Sequence, residues 1–241
     1  MIGSRFVEHL KKQHWTGVFI ELLIVVLGVF IGLQVDNWNA ARISNQNQRF
    51  ILRELRSDLI ADSAIIDNTL HQYRRLDHAS STLLHDLGNG DSYTPSMDKE
   101  FGSVYVFVYF NFHLAGYESL KSQGMDRIRN PAMRTEITTV YEQTYPLLEK
   151  AGGFSQHYYL NVIQPYFLKH FKNLQVAQSA TPLDYASVRN DPYFRNIIAN
   201  RRDIVRNRYI PFFERASVTV HHLIALIDRQ LGEPKPGEHP G

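Results

Sequence analysis

The sequence predicts an all-α protein: one N-terminal transmembrane helix, a long stalk-like helix and a helical-bundle soluble domain. Three observations predict it: an apolar run near the N-terminus, a heptad pattern after it, and no convincing pair of strands in the remaining chain. Its 241 residues, 44% hydrophobic and 21% charged, have an ordinary globular composition plus one span. We divide the chain into a short tail (1–14), the transmembrane helix (15–38), a helical extramembrane domain (39–231) and a Pro/Gly-rich tail (232–241) that should be disordered.

The N-terminal apolar run has the length of a membrane span. It is almost wholly apolar from Val18 to Val35, and Trp15 and Trp38 stand at its borders. About 20 helical residues match the ~30 Å hydrocarbon core of a bilayer. Tryptophan at both borders is typical of an interfacial aromatic belt, so these two residues are predicted interface anchors. The run is longer than a signal-peptide core, and no small-x-small cleavage pattern follows closely, which favours an uncleaved anchor.

Charge around the span gives a slight preference for orientation. The amino group and three basic side chains precede the span: Arg5, Lys11 and Lys12. Three basic side chains follow it within about 20 residues: Arg42, Arg49 and Arg53. A short tail before a long domain usually inserts with the tail inside the cytoplasm. The absence of cysteine permits either compartment. We therefore expect the large domain outside the cytoplasm.

Two long helices are predicted beyond the span, over residues 43–87 and 192–231. Apolar residues of the first fall on heptad positions a and d; they are Leu52, Leu55, Leu59, Ile66, Tyr73, Leu76, Leu83 and Leu87, with Asp62, Thr69 and Ser80 as polar interruptions. The second helix begins at an Asp191–Pro192 pair, a capping residue followed by a first-turn proline, and ends at Gly232.

The chain between the long helices predicts shorter helices. Residues 103–112 (SVYVFVYFNF) are apolar on every face, so they form a buried helix or a buried strand, and the neighbouring helices favour a helix. Pro131 suits the first turn of a helix. Gly152–Gly153 predicts a joint, and Pro165 and Pro211 predict kinks.

One face of the membrane helix is a candidate helix–helix contact. Its members are four or seven residues apart: Gly17, Glu21, Gly28, Gly32 and Asp36. Small residues let a second helix approach closely, and an ionisable group in a span usually faces protein. The alternative is a plain anchor with incidental glycines, because Glu21 lies near the membrane surface and can reach water.

The histidines do not predict a metal site. His71, His78 and His85 repeat every seven residues, which is about 10.5 Å along a helix and too far for joint ligation. They occupy the heptad position opposite the a/d seam, so a solvated face is the better interpretation. His221 and His222 point about 100° apart, and we expect one buried and one exposed.

A basic stretch on the last helix has two interpretations. It consists of Arg201, Arg202, Arg206 and Arg208. The stretch could meet acidic lipid or an acidic protein surface. Asp203 and Asn207 are interleaved with it, so a solvated face with internal ion pairs is just as plausible.

The sequence predicts neither catalysis nor a cofactor. It has no nucleophile elbow, phosphate-binding loop, zinc-protease helix or dinucleotide glycine pattern, and no cysteine for zinc. Asp58 and Asp62 are interpreted as helix-surface charges. The net charge of +2 gives no field that would favour nucleic acid.

Three stretches resemble an uncharacterised bacterial family of single-span membrane proteins with a domain of unknown function. They are ELLIVVLGVFIGLQVDNWN (21–39), GYESLKSQG (116–124) and NDPYFRN (190–196), the last leading into HLIALIDRQL (222–231). The resemblance implies an inner-membrane anchor and a helical domain, and it implies no activity. Together with the charge pattern, it predicts a bacterial inner-membrane protein with a cytoplasmic N-terminus and a periplasmic main domain.

These features predict a non-catalytic accessory subunit that braces a larger membrane protein complex, such as a respiratory or photosynthetic assembly. Its partners would be integral membrane proteins and the lipid bilayer. The aromatic runs at 104–112 and 158–167 favour it if their rings are exposed at an interface. The alternative is an extracytoplasmic sensor or ligand-binding module, which a pocket in the bundle would favour.

Overall fold

The computed structural model describes residues 15–232, with side chains described from Phe19 onward. The predicted tails therefore lie outside the described residues, except for Gly232. The chain divides into two compact units, one ending at Phe50 and one beginning at Ile51. Each unit is described separately below.

The described residues form nine α-helices and one β-hairpin. The helices are α1 Trp15–Asn89, α2 Met97–Val104, α3 Ala115–Gln123, α4 Pro131–Thr138, α5 Tyr145–Tyr158, α6 Gln164–His170, α7 Tyr185–Asn190, α8 Pro192–Ile204 and α9 Ile210–Leu231; the strands are β1 Phe171–Gln175 and β2 Ser179–Pro182. The all-α prediction is thus confirmed in its main part. Both the predicted membrane helix and the predicted 43–87 helix belong to α1.

The first unit is an exposed apolar helix. Every described side chain from Phe19 to Ile43 is exposed, and most of those between Phe19 and Val35 are large and apolar. Residues of this kind normally lie in a core or in lipid. The helix is long and apolar enough to cross a membrane, which is a weak indication of a span.

The core of the second unit begins with the heptad residues of α1. All eight predicted a/d residues are buried, and the three predicted polar interruptions are buried as well. The histidines of the opposite face, His71, His78 and His85, are exposed as predicted. In this unit α1 packs against α9: the rings of Tyr73 and Phe213 lie 5.4 Å apart, and Arg56 Nε donates to Asp228 Oδ1 at 2.5 Å.

Three wide π-helical turns interrupt the later helices, and each lies just before a proline. The prolines are Pro146, Pro165 and Pro211, and the turns are Thr139–Thr144, Tyr159–Ile163 and Val205–Tyr209. A helical proline has no N–H and clashes with the carbonyl four residues earlier, which in all three cases lies in the wide turn. A π-helical turn bonds over five residues and relieves this clash. The predicted kinks at Pro165 and Pro211 are therefore wide turns.

The predicted joint at Gly152–Gly153 is wrong, because α5 continues through both glycines. Gly152 serves close packing instead. A Cβ atom at this position would lie 3.0 Å from the Phe110 ring. The glycine thus lets the 105–114 segment lie directly against α5.

The helix favoured for residues 103–112 is also wrong. α2 ends at Val104, and residues 106–114 form neither helix nor strand.

The prediction that no strands pair is wrong as well, because β1 and β2 pair antiparallel with a bulge between Lys172 and Gln175. The hairpin lies against α2, where a Cβ on Gly102 would overlap the backbone of Ser179 at 2.1 Å.

The aromatic runs lie mostly inside the second unit. Tyr105 and Phe112 are buried, and Tyr105 stacks on Phe167 with ring centroids 4.9 Å apart. Phe167 in turn stacks on Phe171 at 4.3 Å. Among the large side chains of the first run, Tyr109 is exposed. The expectation that these rings form an exposed interface is therefore wrong for most of them.

Candidate functional site: an open cleft in the helical unit

The predicted helix–helix face lies on the exposed part of α1. Glu21, Gly28, Gly32 and Asp36 are exposed, and a Cβ on either Gly28 or Gly32 would meet no atom within 4 Å. Trp38 is also exposed. Trp15 and Gly17 lie in the first turn of the helix, before the described side chains begin. The face is therefore open to a second helix.

The four arginines of the predicted basic stretch do not form one surface. Arg201 is buried, with only 4% of its surface exposed, and donates to the carbonyl oxygens of Val104 and Val106. Arg206 is exposed and binds the Asp77 carboxylate through two nitrogens, at 2.9 and 3.0 Å. Arg202 is half-buried and Arg208 is exposed. Side-chain direction separates them, since each residue turns about 100° from the last.

An open cleft lies between α5 and the chain from Arg201 to Phe212. Its volume is about 510 Å³, within the range of ligand-binding cavities. The walls are mainly apolar and aromatic; they include Leu147, Ala151, Phe154, Tyr158, Ile204, Val205, Tyr209 and Phe212. Leu147 and Phe154 are large apolar residues that are 45% and 60% exposed. An apolar concavity of this kind is suited to bind a small molecule or a partner.

The charged groups of the cleft have one sign. Lys150, Arg201 and Arg208 line it, with His157 beside them, and no carboxylate belongs to its lining residues. Lys150 and Arg208 are exposed and form no ion pair with the acidic side chains of residues 19–232. The cleft is therefore electropositive.

Arg201 is a buried cation of the cleft whose pKa is shifted. Burial lowers its pKa to about 10, although the neighbouring tyrosines Tyr73, Tyr158, Tyr159 and Tyr209 oppose that change. Burial also raises the pKa of the Tyr209 hydroxyl. Two carbonyl dipoles stabilise the guanidinium, and no acidic side chain of the described chain forms a salt bridge with it. No acidic side chain of residues 19–232 therefore neutralises its charge in an ion pair.

A wide turn places three of the lining residues. Val205, Arg208 and Tyr209 all belong to the π-helical turn before Pro211. Such turns are frequent at functional sites, because they rotate side chains away from the regular helical face. The sequence predicts Arg208 as part of a basic stretch but does not predict the cleft. Nothing in the local sequence of α5 or of the last helix indicates that the two leave a gap.

A second polar cluster explains the GYESLKSQG motif. The Gly116 N–H donates to Asp58 Oδ2 at 3.0 Å, and a Cβ on Gly116 would meet the same oxygen at 2.8 Å. Asp62 is fully buried, and its Oδ1 accepts from the His113 N–H at 3.0 Å and lies 2.7 Å from His113 Nδ1. The interpretation of Asp62 as a helix-surface charge is therefore wrong. These carboxylates tie residues 113–116 to α1.

The tyrosines near this cluster are held un-ionised. Burial first, and then the charge of Asp62, raise the pKa of Tyr141 and of Tyr145 far above the usual range. Tyr117 stacks on Tyr141 with centroids 4.5 Å apart and donates to Glu142 Oε1 at 2.8 Å. These contacts join residues 113–117 to α1 and to the Thr139–Thr144 turn, so the cluster supports the fold.

The histidines bring together one weak metal candidate. Among the described residues, ligand atoms of His85, Asp86 and Asp91 lie within 4.8 Å of one another, but exposed acidic groups often lie this close without a bound metal. His221 and His222 are both exposed, so the prediction that one is buried is wrong. His222 faces Glu136 at 3.7 Å. The cleft is therefore the better candidate site.

Fold and site together define an all-α chain with an exposed apolar N-terminal helix and a helical unit that carries an electropositive cleft. The sequence matches the family of unknown function DUF6090 over residues 21–200, and the chain belongs to that family. No curated protein and no solved structure matches it significantly. The matched region contains the α5 wall of the cleft and ends just before Arg201.

Proposed function

We propose that this protein is a membrane-anchored, non-catalytic accessory subunit of a larger membrane protein complex. The apolar part of α1 would anchor it in a bacterial inner membrane, with a cytoplasmic N-terminus and a periplasmic helical domain. The observation that carries the proposal is the exposed apolar surface from Phe19 to Val35, on which Gly28 and Gly32 leave an open face. Small residues at that spacing let another membrane helix pack closely.

The test of this proposal is co-purification from the native membrane. The tagged protein is extracted in mild detergent, and proteins at stoichiometric level are identified by mass spectrometry. The variant Gly28→Leu/Gly32→Leu should lose the partner, because leucine side chains separate the two helix backbones. The control Val26→Leu/Phe30→Leu changes the opposite face of the same helix and should keep it. A monomer or self-dimer without a partner would overturn the proposal.

The proposed orientation has its own test. The natural chain has no cysteine, so a single Lys99→Cys variant gives one labelling site at an exposed position of α2. A membrane-impermeant maleimide should label this site in intact spheroplasts. Labelling only after lysis would place the domain in the cytoplasm.

The cleft favours a second candidate function, a ligand-binding module with a single anchor. Its supporting observation is the cavity of about 510 Å³ with apolar walls and cationic groups. The two functions are compatible, because the helix face and the cleft belong to different units of the chain.

A further inference from the structure

We infer that the cleft between α5 and residues 201–212 binds a long-chain carboxylate of the fatty-acid type. The inference rests on the second candidate function, ligand binding by the helical unit, and adds the chemical class of the ligand. Two independent properties of the cleft carry it: its volume with mainly apolar walls, and the sign of its charges.

The walls suit a hydrocarbon chain. Leu147 and Phe154 from α5 face Ile204 and Phe212 across an open cavity of about 510 Å³. Phe154 is 60% exposed, although burial of a side chain of this size is normally favourable. An acyl chain laid along the cleft would cover this exposed apolar surface. A strongly polar ligand would leave it in contact with water.

The charges suit a single anionic head group. The lining residues that carry a formal charge at neutral pH, Lys150, Arg201 and Arg208, are all basic, and no lining carboxylate would repel an anion. Lys150 lies on α5, whereas Arg208 lies on the opposite wall, so cations are offered from both sides. Neither forms an ion pair within the described chain. A carboxylate between them would gain charge-assisted hydrogen bonds.

Arg201 gives the cleft a fixed positive potential. Its guanidinium is held by two backbone carbonyls and is nearly excluded from water. A charge in this setting is weakly screened, so it favours an anion nearby without having to move. Arg201 is therefore a positioning charge, and Lys150 and Arg208 are the proposed ligands of the head group.

The experiment uses the full chain in zwitterionic lipid nanodiscs and two photoreactive probes. One is a diazirine-bearing hexadecanoate, and the other is the matching hexadecanol, which has the same chain and no charge. After irradiation, peptides spanning 147–158 and 201–212 are quantified by mass spectrometry as a fraction of total incorporation. This site-resolved measure separates binding in the cleft from partition into the lipid.

The expected result is that the carboxylate labels the cleft about tenfold more than the alcohol. Lys150→Gln/Arg208→Gln should remove most of that preference. The matched control Lys169→Gln/Arg229→Gln changes two exposed cations that do not line the cleft and should leave the preference intact. Phe154→Ser should lower labelling by both probes, whereas Leu168→Ser, which changes an equally exposed residue elsewhere, should not.

The outcomes distinguish the inference from the function on which it rests. If both probes label the cleft equally and the charge variant changes nothing, ligand binding stands and the carboxylate inference is overturned. If neither probe labels it, both fail. Cross-links from these peptides to a second copy or to another protein, in place of the probes, would show that a protein covers the cleft and would also overturn the inference.

Discussion

At the scale of single residues, Arg201 holds its guanidinium in the protein interior, where the carbonyls of Val104 and Val106 accept its hydrogen bonds. These carbonyls lie where α2 ends and an irregular segment begins. Backbone groups without a helical partner need another donor when they are buried. Arg201 supplies that donor from a helix 95 residues away.

Arg201→Met should therefore be strongly destabilising. Methionine fills a similar volume but leaves the two carbonyls without a donor, which costs about 1–3 kcal/mol for each. Removal of the buried charge offsets part of this cost. We therefore expect the free energy of unfolding to fall by about 2–4 kcal/mol. Urea unfolding followed by circular dichroism measures it. Arg206 lies in the π-helical turn that follows α8 and forms an exposed ion pair with Asp77 of α1. Its replacement, Arg206→Met, should lower the free energy of unfolding by less than about 1 kcal/mol. Equal losses would contradict the structural role of Arg201.

His113 gives the protein a pH-dependent contact. The hydrogen bond to Asp62, with support from the charges of Asp62 and Asp58, raises the pKa of His113 above its usual value, although partial desolvation opposes this. The folded protein thus holds the proton more tightly than the unfolded chain does. The stabilisation is complete below about pH 6.5 and is lost as the pH rises through the raised pKa.

The corresponding prediction is a stability loss between about pH 5.5 and about pH 8 that depends on His113. The imidazole is 52% exposed, so solvent screening limits the effect to less than about 1 kcal/mol. Urea midpoints at the two pH values measure it. His113→Asn should flatten this part of the pH profile, while His78→Asn, on the solvent face of α1, should leave it unchanged. An unchanged profile in His113→Asn would exclude this contact as the cause.

At the scale of elements, the prolines illustrate how helices absorb a residue that normally breaks them. Pro146, Pro165 and Pro211 each follow a π-helical turn by two residues. The chain therefore stays helical from Pro131 to His170 and from Pro192 to Leu231. The sequence predicts that the regular α-helical hydrogen-bond pattern is interrupted at these prolines. Whether the helix kinks or forms a wide turn there depends on the residues that pack around it.

A paired deletion tests the wide turn. Deleting the exposed residue Asn207 together with Pro211→Ala should convert the Val205–Tyr209 turn into an ordinary α-helical turn and keep both flanks in register. We expect the melting temperature to change by less than about 5 °C. Deleting the exposed Val218 instead rotates the rest of α9 by about 100° and should abolish cooperative unfolding. Calorimetry distinguishes the two deletion variants. Loss of cooperative unfolding in both would contradict the claim that the wide turn contains one extra residue.

The irregular segment after α2 shows what could not be predicted from local sequence. Its ten-residue apolar run fits a helix or a strand equally well. Its backbone groups bond to distant parts of the chain: Ala177 N–H donates to Tyr105 O at 3.2 Å, and His113 N–H donates to Asp62. These partners lie far away in sequence, so periodicity carries no information about them. The hairpin was missed for the same reason, since bulge and turn residues obscure the alternation in β1.

At the scale of the whole molecule, periodic features were predictable and gaps between elements were not. The heptad of α1, the Asp191–Pro192 start and the Gly232 end of the last helix are all confirmed, because each depends on nearby residues alone. The cleft is a space between two helices. Its cation Arg208 was predicted as part of a basic surface, but Lys150 and the apolar walls were not predicted as a site.

The division into two units predicts that the helical unit folds without the exposed helix. A chain of residues 51–241 contains the whole described core of that unit. Its melting temperature should lie within about 5 °C of that of the full chain. If the exposed helix is the membrane anchor proposed above, the shorter chain should not sediment with membranes after carbonate washing, whereas the full chain should. Aggregation or loss of cooperative melting would show that residues before Ile51 are needed for folding.

The wide turns leave a trace in the spacing of buried residues. Ala151, Ser155, Tyr159, Ile163 and Phe167 are all buried and lie four residues apart; so are Ile197, Arg201, Val205, Tyr209 and Phe213. In a regular helix each step of four overshoots one turn by about 40°, so five such residues would drift most of the way to the opposite face. The extra residue of the wide turn removes about 100° of this drift. Other sequences that combine five mostly apolar residues in steps of four with a nearby proline should carry the same turn, and their helical faces can be assigned accordingly.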